Sequence, residues 1–182
     1  MIRTIDLLSA FLGLLLLWPI MIIVVFIGFI DSGSPIFVQT RVGRNKVPFK
    51  LIKFRTMPLD TESVASHLVN GKSINKFGSL LRKTKIDELP QLINVIKGDM
   101  SLVGPRPNLF NQSDVIKERS VHGVYAVLPG ITGLSQIQNI DMSSPVILAK
   151  TDKEMIDSMS LKNYFKYIFK TLKGSGLGDT IN

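Results

Sequence analysis

Cysteine is absent from this 182-residue chain, which excludes disulfides and thiolate metal sites and fits a reducing compartment. Histidine is scarce: His67 and His122 lack metal-ligand spacing to each other and read as ordinary surface or core residues. Carboxylates are in deficit, 14 against 22 Lys and Arg, and the formal net charge is +8. That balance points to polyanionic partners: nucleic acid, anionic lipid or phosphorylated substrates. No Asp-x-Asp occurs, which counts against a nucleotide-sugar glycosyltransferase of the usual metal-binding kind. There is no internal repeat or low-complexity tract, and the length suits one modest domain.

Charge is also missing from Leu7 to Ile30, a run of 24 residues between Asp6 and Asp31. A helix of that length covers roughly 36 Å, enough for a ~30 Å hydrocarbon core. The run is too long for a signal-peptide h-region, and no A-x-A-like cleavage site follows it. Pro19 divides it into two halves of 12 residues. A proline removes one helical hydrogen bond and clashes with the carbonyl four back, at ~3 kcal/mol. Each half alone reaches only ~18 Å. Two topologies follow: a re-entrant hairpin broken at Trp18-Pro19, or a plain spanning helix that tolerates its proline. Arg41, Arg44, Lys46, Lys50, Lys53 and Arg55 come next, with no carboxylate between Asp31 and Asp60. By the positive-inside rule the following domain is cytoplasmic. Arg3 and the N-terminal amine favour the same side, and with it the hairpin. The expected organisation is a membrane-embedded re-entrant helix over residues 1–30 and a cytoplasmic-face domain over residues 31–182.

The expected fold class is α/β, mostly α. Ile36-Phe37-Val38 and Phe49-Lys50-Leu51-Ile52-Lys53-Phe54 predict short strands around a turn at Val42-Gly43-Arg44-Asn45. Ile74, Phe77, Leu80 and Leu81 fall at helical spacing. Ile86, Leu89, Leu92, Ile93 and Ile96 form a second stripe, opened by Asp87-Glu88 with Pro90 in its first turn and ended by Gly98. Asp99 reads as a cap of that turn rather than a metal ligand. Ser160 can cap a helix carrying Leu161, Tyr164, Phe165, Ile168, Phe169 and Leu172, with Lys162, Lys166, Lys170 and Lys173 on its other face. Such a helix suits an anionic membrane surface, or equally a solvated face over a core. Gly174-Ser-Gly176-Leu-Gly178 follows a helix rather than a strand and reads as a flexible tail, not a dinucleotide loop.

The chemistry concentrates between Lys76 and Pro107. A vicinal Asp-Glu at a helix start is commonly only a cap. Here Arg82, Lys83 and Lys85 precede it, and Gly104-Pro105-Arg106-Pro107 is a stiff turn that presents one guanidinium. Two arginines, a helix N-terminus and two carboxylates make a metal-phosphate site.

Arg82-x4-Asp87-Glu88-Leu89-Pro90-Gln91-Leu92-x-Asn94-Val95-x2-Gly98-Asp99-Met100-Ser101-Leu102-Val103-Gly104-Pro105-Arg106-Pro107 resembles the core of the bacterial sugar transferase family, the small monotopic phosphoglycosyl transferases that start glycoconjugate assembly. Phe49-Lys50-x2-Lys53-Phe54-Arg55-Thr56-Met57 resembles its basic strand motif. Pro129-Gly130-Ile131-Thr132-Gly133-Leu134-Ser135-Gln136 resembles its later Pro-Gly-x-Thr-Gly motif. Arg3-x2-Asp6 before an apolar run broken at Pro19 resembles its N-terminus.

The resemblance implies a re-entrant helix and amphipathic helices at the cytoplasmic face of a bacterial inner membrane. It implies Asp87 as nucleophile of the Asp87-Glu88 dyad and Mg²⁺ as the metal, held by Asp87 and Glu88, with positioning of the acceptor as the alternative role for Glu88. It implies a UDP-sugar donor, with an N-acetylated hexosamine as the expected sugar, and undecaprenyl phosphate as acceptor. Arg82, Arg106, Lys53, Arg55 and Pro105 are the expected substrate-binding residues. No nucleic acid partner is expected, and homodimerisation is left open. Two positions depart from the family pattern: Met155 stands where an aromatic is frequent, and Ser135 where alanine is usual. They bear on donor specificity more than on chemistry.

A carboxylate attacking a diphosphate brings like charges together. At ~4 Å and an effective dielectric of ~20, each unit pair costs roughly 4 kcal/mol, so cations at the site are a necessity. The competing reading is a single-span, membrane-anchored basic module that binds anionic lipid or nucleic acid without catalysis. No nucleic-acid fold signature supports it. A polytopic sugar-phosphate transferase would need several apolar spans, and this chain has one.

Overall fold

The longest element is helix α1, Ile2–Ser32, which ends on Gly33. That glycine adopts a left-handed φ of 70°, and its N–H reaches Phe29 O at 3.0 Å. The computed structural model describes residues 1–59 and 76–176. Among these, α1 is the one helix long and apolar enough to cross a membrane. The break expected at Pro19 is absent from the secondary structure, because the helix runs through the proline. Pro19 deletes one donor, and the flanking turns carry the helix on.

Helix α1 meets the rest of the chain on both sides of Pro19. Ala10 packs with Phe49, Leu51, Leu92, Val95 and Met100. Val24 packs with Phe54 and Leu81. Between these contacts Leu15, Leu16, Trp18 and Ile20 are exposed. The start of the helix is fastened by charge. Arg3 Nη1 donates to Met100 O at 3.0 Å. The buried Asp6 carboxylate accepts from Ser101 Oγ, from Leu102 N at 2.8 Å and from the Tyr164 hydroxyl at 2.6 Å.

Strand β1, Ile36–Val42, pairs antiparallel with β2, Pro48–Phe54, placing Phe37 opposite Lys53. The strands extend beyond the expected residues. The turn lies where expected, as a tight Arg44–Lys46 helical turn. Helix α2, Lys76–Thr84, contains Phe77, Leu80 and Leu81 of the predicted stripe; Ile74 lies outside the described residues.

The single helix expected over Ile86 to Gly98 is instead two elements. Lys85 takes a left-handed φ of 57°, Ile86–Glu88 forms a 3₁₀ turn, and α3 spans Gln91–Lys97 with Pro90 as its cap. Pro90 explains the split. It has no N–H to give to the Ile86 carbonyl four residues back, which instead accepts from Leu89 N at 3.1 Å. The dyad therefore sits in the tight turn and not on the α-helix.

A second sheet is two short parallel strands, β3 at Ser101–Val103 and β4 at Gly130–Thr132. They are held so closely that a Cβ on Gly130 would lie 2.0 Å from Gly104 N. Only glycine fits there, which gives the Pro-Gly-x-Thr-Gly motif a packing reason. Helices α4 (Ser113–Val121), α5 (Leu134–Ile137), α6 (Pro145–Asp157) and α7 (Leu161–Leu172) complete the chain. Ser160 caps α7 as expected, its Oγ accepting from Asn163 N at 3.2 Å.

The apolar stripe of α7 is divided. Tyr164 and Tyr167 join Val103 and Met155 in the core, whereas Phe165, Phe169 and Leu172 stay exposed. The glycine-rich stretch after α7 is no free tail as far as Gly176. Ser175 O accepts from Lys85 Nζ at 3.1 Å, and Gly176 packs on the Gln136 backbone. Gly178 and His67 lie outside the described residues.

Candidate active site

The tight turn caused by Pro90 puts Asp87 in a buried position, 7% exposed, with Glu88 beside it half-buried. Among the described residues no side chain hydrogen-bonds to the Asp87 carboxylate. Its environment is electrostatic. Burial pushes its pKa up to about 7, the Glu88 charge adds to that, and Lys53, Arg82 and Arg106 pull against it. The helix N-terminus expected at the dyad lies further on, since α3 begins only at Gln91.

Each cation arrives from a different element. Lys53 comes from β2, and burial lowers its pKa to about 8; Asp87 opposes that fall, and Arg82, Arg41 and Arg106 reinforce it. Arg82 comes from α2. Its Nε donates to Thr56 Oγ1 at 3.0 Å and its Nη2 approaches Met57 Sδ at 3.4 Å. Its Nη1 is buried and finds no partner among the described residues. Arg106, in the Gly104–Pro107 turn, donates from Nη1 to Glu88 Oε1 at 3.1 Å. The turn is held through its carbonyls: Pro105 O accepts from Gly130 N at 2.9 Å, Arg106 O from Arg119 Nη1 at 2.7 Å and Pro107 O from Arg41 Nη1 at 3.2 Å.

Of the expected site residues, Asp87, Glu88, Lys53, Arg82 and Arg106 therefore share one electrostatic neighbourhood. Arg55 is used elsewhere, because its Nε donates to Ser34 O at 2.9 Å and its guanidinium lies over the Phe37 ring. Pro105 contributes a stiff backbone and a carbonyl for β4. The basic residues of β1 and its turn are not all free charges either, since Arg41 is buried in the fold.

Sequence reasoning missed two supports. Asn94, fully buried on α3, donates to Lys50 O at 2.7 Å and accepts from Ile52 N at 3.1 Å. It ties α3, the helix that follows the dyad's turn, to the strand that carries Lys53. Its Nδ2 also meets Asp99 Oδ2 at 3.1 Å, so Asp99 acts within that turn. The second support is a buried ion pair. Arg119 Nη2 meets Asp152 Oδ2 at 2.6 Å, and Ser135 Oγ donates to Asp152 Oδ1 at 2.7 Å. Ser135, one of the two departures from the family pattern, thus satisfies a buried carboxylate. Met155, the other, fills the core and receives Leu134 N on its sulfur at 3.2 Å. A lone asparagine within a helix and two charges 33 residues apart leave no periodic signature.

As metal ligands, Asp87 and Glu88 stand alone: among the described residues no group of three His, Asp or Glu side chains gathers. Two carboxylates with an open Asp87 suit a Mg²⁺ that shares its remaining ligands with substrate phosphates and water, and do not suit an all-protein cage.

Residues 1–176 match the model of the family described as bacterial sugar transferase, and the chain belongs to that family. It is 34% identical over 187 residues to a UDP-galactose-lipid carrier transferase of Erwinia amylovora, covering 93% of this chain and 39% of that protein. It is 33% identical over 180 residues to a UDP-glucose:undecaprenyl-phosphate glucose-1-phosphate transferase of Caulobacter vibrioides, covering 93% of this chain and 67% of that protein. An uncharacterized sugar transferase, EpsL, of Bacillus subtilis is 37% identical over 183 residues, which cover 98% of this chain and 90% of that one. The chain spans about two fifths of the length of three of its curated relatives.

Proposed function

We propose that this chain is a phosphoglycosyl transferase that moves a sugar-1-phosphate from a UDP-sugar to undecaprenyl phosphate and so initiates assembly of a glycoconjugate. The observation that carries the reading is Asp87: a buried carboxylate with no side-chain hydrogen bond among the described residues and three cations in electrostatic reach. The relatives' names supply the reactants, a nucleotide sugar and a lipid carrier phosphate.

In the first step an Asp87 carboxylate oxygen forms a bond to the β-phosphorus of the donor. The bond from that phosphorus to the bridging oxygen breaks, and UMP leaves with the electron pair. In the second step a phosphate oxygen of the acceptor attacks the same phosphorus. The bond to Asp87 breaks, which regenerates the carboxylate and yields polyprenyl diphosphate sugar. Lys53, Arg82 and Arg106 offset the charge of the diphosphate in its approach to Asp87. Glu88 holds Arg106 in place. Asp87 and Glu88 would hold a Mg²⁺, which would supply further neutralisation of the diphosphate.

The membrane placement is part of the proposal. Both sides of Pro19 pack on the same domain, as a re-entrant α1 at the cytoplasmic face of the inner membrane requires. The exposed Phe165, Phe169 and Leu172 beside the α7 lysines suit the same surface. A soluble and a lipid-linked substrate would meet there.

The direct test is UMP release from a panel of UDP-hexoses and UDP-N-acetylhexosamines, with and without undecaprenyl phosphate. One stoichiometric burst of UMP without acceptor is expected; release strictly dependent on acceptor would defeat the covalent reading. The two shifted groups also predict a pH profile. Asp87 attacks only when ionised, so kcat/KM for the donor should rise with pH through about 7. Lys53 loses its charge above about 8, so kcat/KM should fall again there. Lys53→Met removes a cation that favours the Asp87 anion, so the acid limb should move to higher pH. An unmoved acid limb would show that Lys53 does not face Asp87.

A further inference from the structure

Beside the dyad lies a groove of about 500 Å³ that no step described so far uses. Its walls are apolar, formed by Leu89, Leu92, Ile131, Ile168 and Leu172. Its polar lining includes Glu88 of the dyad and two lysines, Lys83 and Lys85. Three observations bear on what fills it.

The first is charge. Lys85 is held by its hydrogen bond to Ser175 O and lies within electrostatic reach of both Glu88 and Asp87. Lys83 and Lys85, in a groove that reaches Glu88 of the dyad, match a phosphate monoester. The second is the floor. Leu92 lies against α1, where a Cβ on Gly13 would come within 3.1 Å of Leu92 Cδ1. Leu92 thus lines the groove and also packs against the segment proposed to enter the membrane. The third is the rim. Ile168 and Leu172 belong to α7, whose exposed Phe165, Phe169 and Leu172 form the apolar surface on that side. An apolar path therefore runs from the outer face of α7 to Glu88.

An occupant must be apolar along its length, carry a phosphate at one end, and deliver that phosphate beside Asp87. We infer that this groove is the acceptor's seat: it takes the first isoprene units of a polyprenyl phosphate, with Lys83 and Lys85 receiving the phosphate next to the Asp87-Glu88 dyad. A glycerophospholipid fits the chemistry less well, because its phosphodiester offers no comparable nucleophilic oxygen to a phosphoryl group on Asp87. The left-handed turn at Lys85 acquires a use, since the residue that follows α2 also lines the groove. This inference rests on the transferase reading for the identity of the acceptor, and its test separates the two.

The test uses the full chain in nanodiscs with a short polyprenyl phosphate that carries a photoreactive group on its first isoprene unit. Labelled peptides are expected to contain Leu89 and Leu92, Ile131, or Ile168 and Leu172, and undecaprenyl phosphate should suppress the label while phosphatidylglycerol does not. Lys85→Met, Ile168→Trp and the exposed Leu172→Glu should each raise the acceptor KM by about tenfold, clearly more than they slow UMP release without acceptor. Labelling confined to other peptides, equal suppression by phosphatidylglycerol, or equal effects on both half-reactions would overturn the groove assignment. Labelling in the groove without UMP release from any donor would leave the lipid site standing and remove the transferase reading instead.

Discussion

Asp87→Asn is expected to eliminate turnover, by about four powers of ten or more, together with UMP release in the absence of acceptor. An amide oxygen or nitrogen cannot form and release the phosphoryl ester on which both half-reactions depend. A merely positional carboxylate would leave a slow reaction behind. The substitution should not harm the fold. Asp87 receives no side-chain hydrogen bond among the described residues, and burial together with the Glu88 charge already disfavours its ionised form. An uncharged isostere removes that burden. The melting temperature of the variant should equal or exceed that of the parent, and circular dichroism during a thermal ramp reads it. Loss of activity with an intact fold separates a chemical role from a structural one.

Arg119→Met is expected to lower stability by about 3–5 kcal/mol, because it leaves a buried charge without its partner. Arg119 and Asp152 are each 1% exposed. With the guanidinium gone, the Asp152 carboxylate keeps only the Ser135 hydroxyl, and the Arg106 carbonyl and the Asn108 side-chain oxygen Oδ1 lose a donor. For a chain of this length the fall corresponds to roughly 6–20 °C in melting temperature. Arg119→Met combined with Asp152→Leu should recover part of it, since removing both charges abolishes the desolvation cost of the orphan. A drop within 1–2 °C of the parent, about the size of an exposed substitution, would mean that this pair supports little. Donor turnover should fall as well, because Arg119 holds the carbonyl of the residue whose guanidinium meets Glu88.

These two predictions draw on layers of the molecule that were unequally visible beforehand. The dyad, Arg82, Arg106 and Lys53 were legible because phosphate chemistry demands carboxylates and cations in short, dense motifs. The capped α7, the β1–β2 hairpin and the apolar α1 were legible because each is written in local periodicity and turn residues. The turn that carries the dyad was misread. The apolar spacing after Ile86 suits a helix, but one missing N–H at Pro90 closes a 3₁₀ turn first and buries Asp87 there. The surroundings of Arg55 also depend on tertiary structure. Lys53 on β2 and Arg55 just beyond its end carry the same charge, and only the path of the chain around Ser34 shows that Arg55 also acts as a brace.

The remaining supports depend on distance along the chain. Asp6 reaches Tyr164 across 158 positions, and Arg119 reaches Asp152 across 33. Neither pair has a spacing that a helix or strand period would mark. Both are burial decisions made when separate helices come together. Ser135 and Met155 look like small departures in the sequence, and in the fold they adjoin the same α5–α6 contact.

The central claim is a covalent bond at one side chain. The chain is incubated with a donor that yields UMP, quenched without acceptor, digested, and the peptide from Ile86 to Lys97 weighed. The account predicts a mass increase of one sugar phosphate on Asp87, absent from Asp87→Asn and lost on addition of undecaprenyl phosphate. Stoichiometric UMP release with that peptide unmodified, or with the phosphoryl group on Glu88, would contradict it.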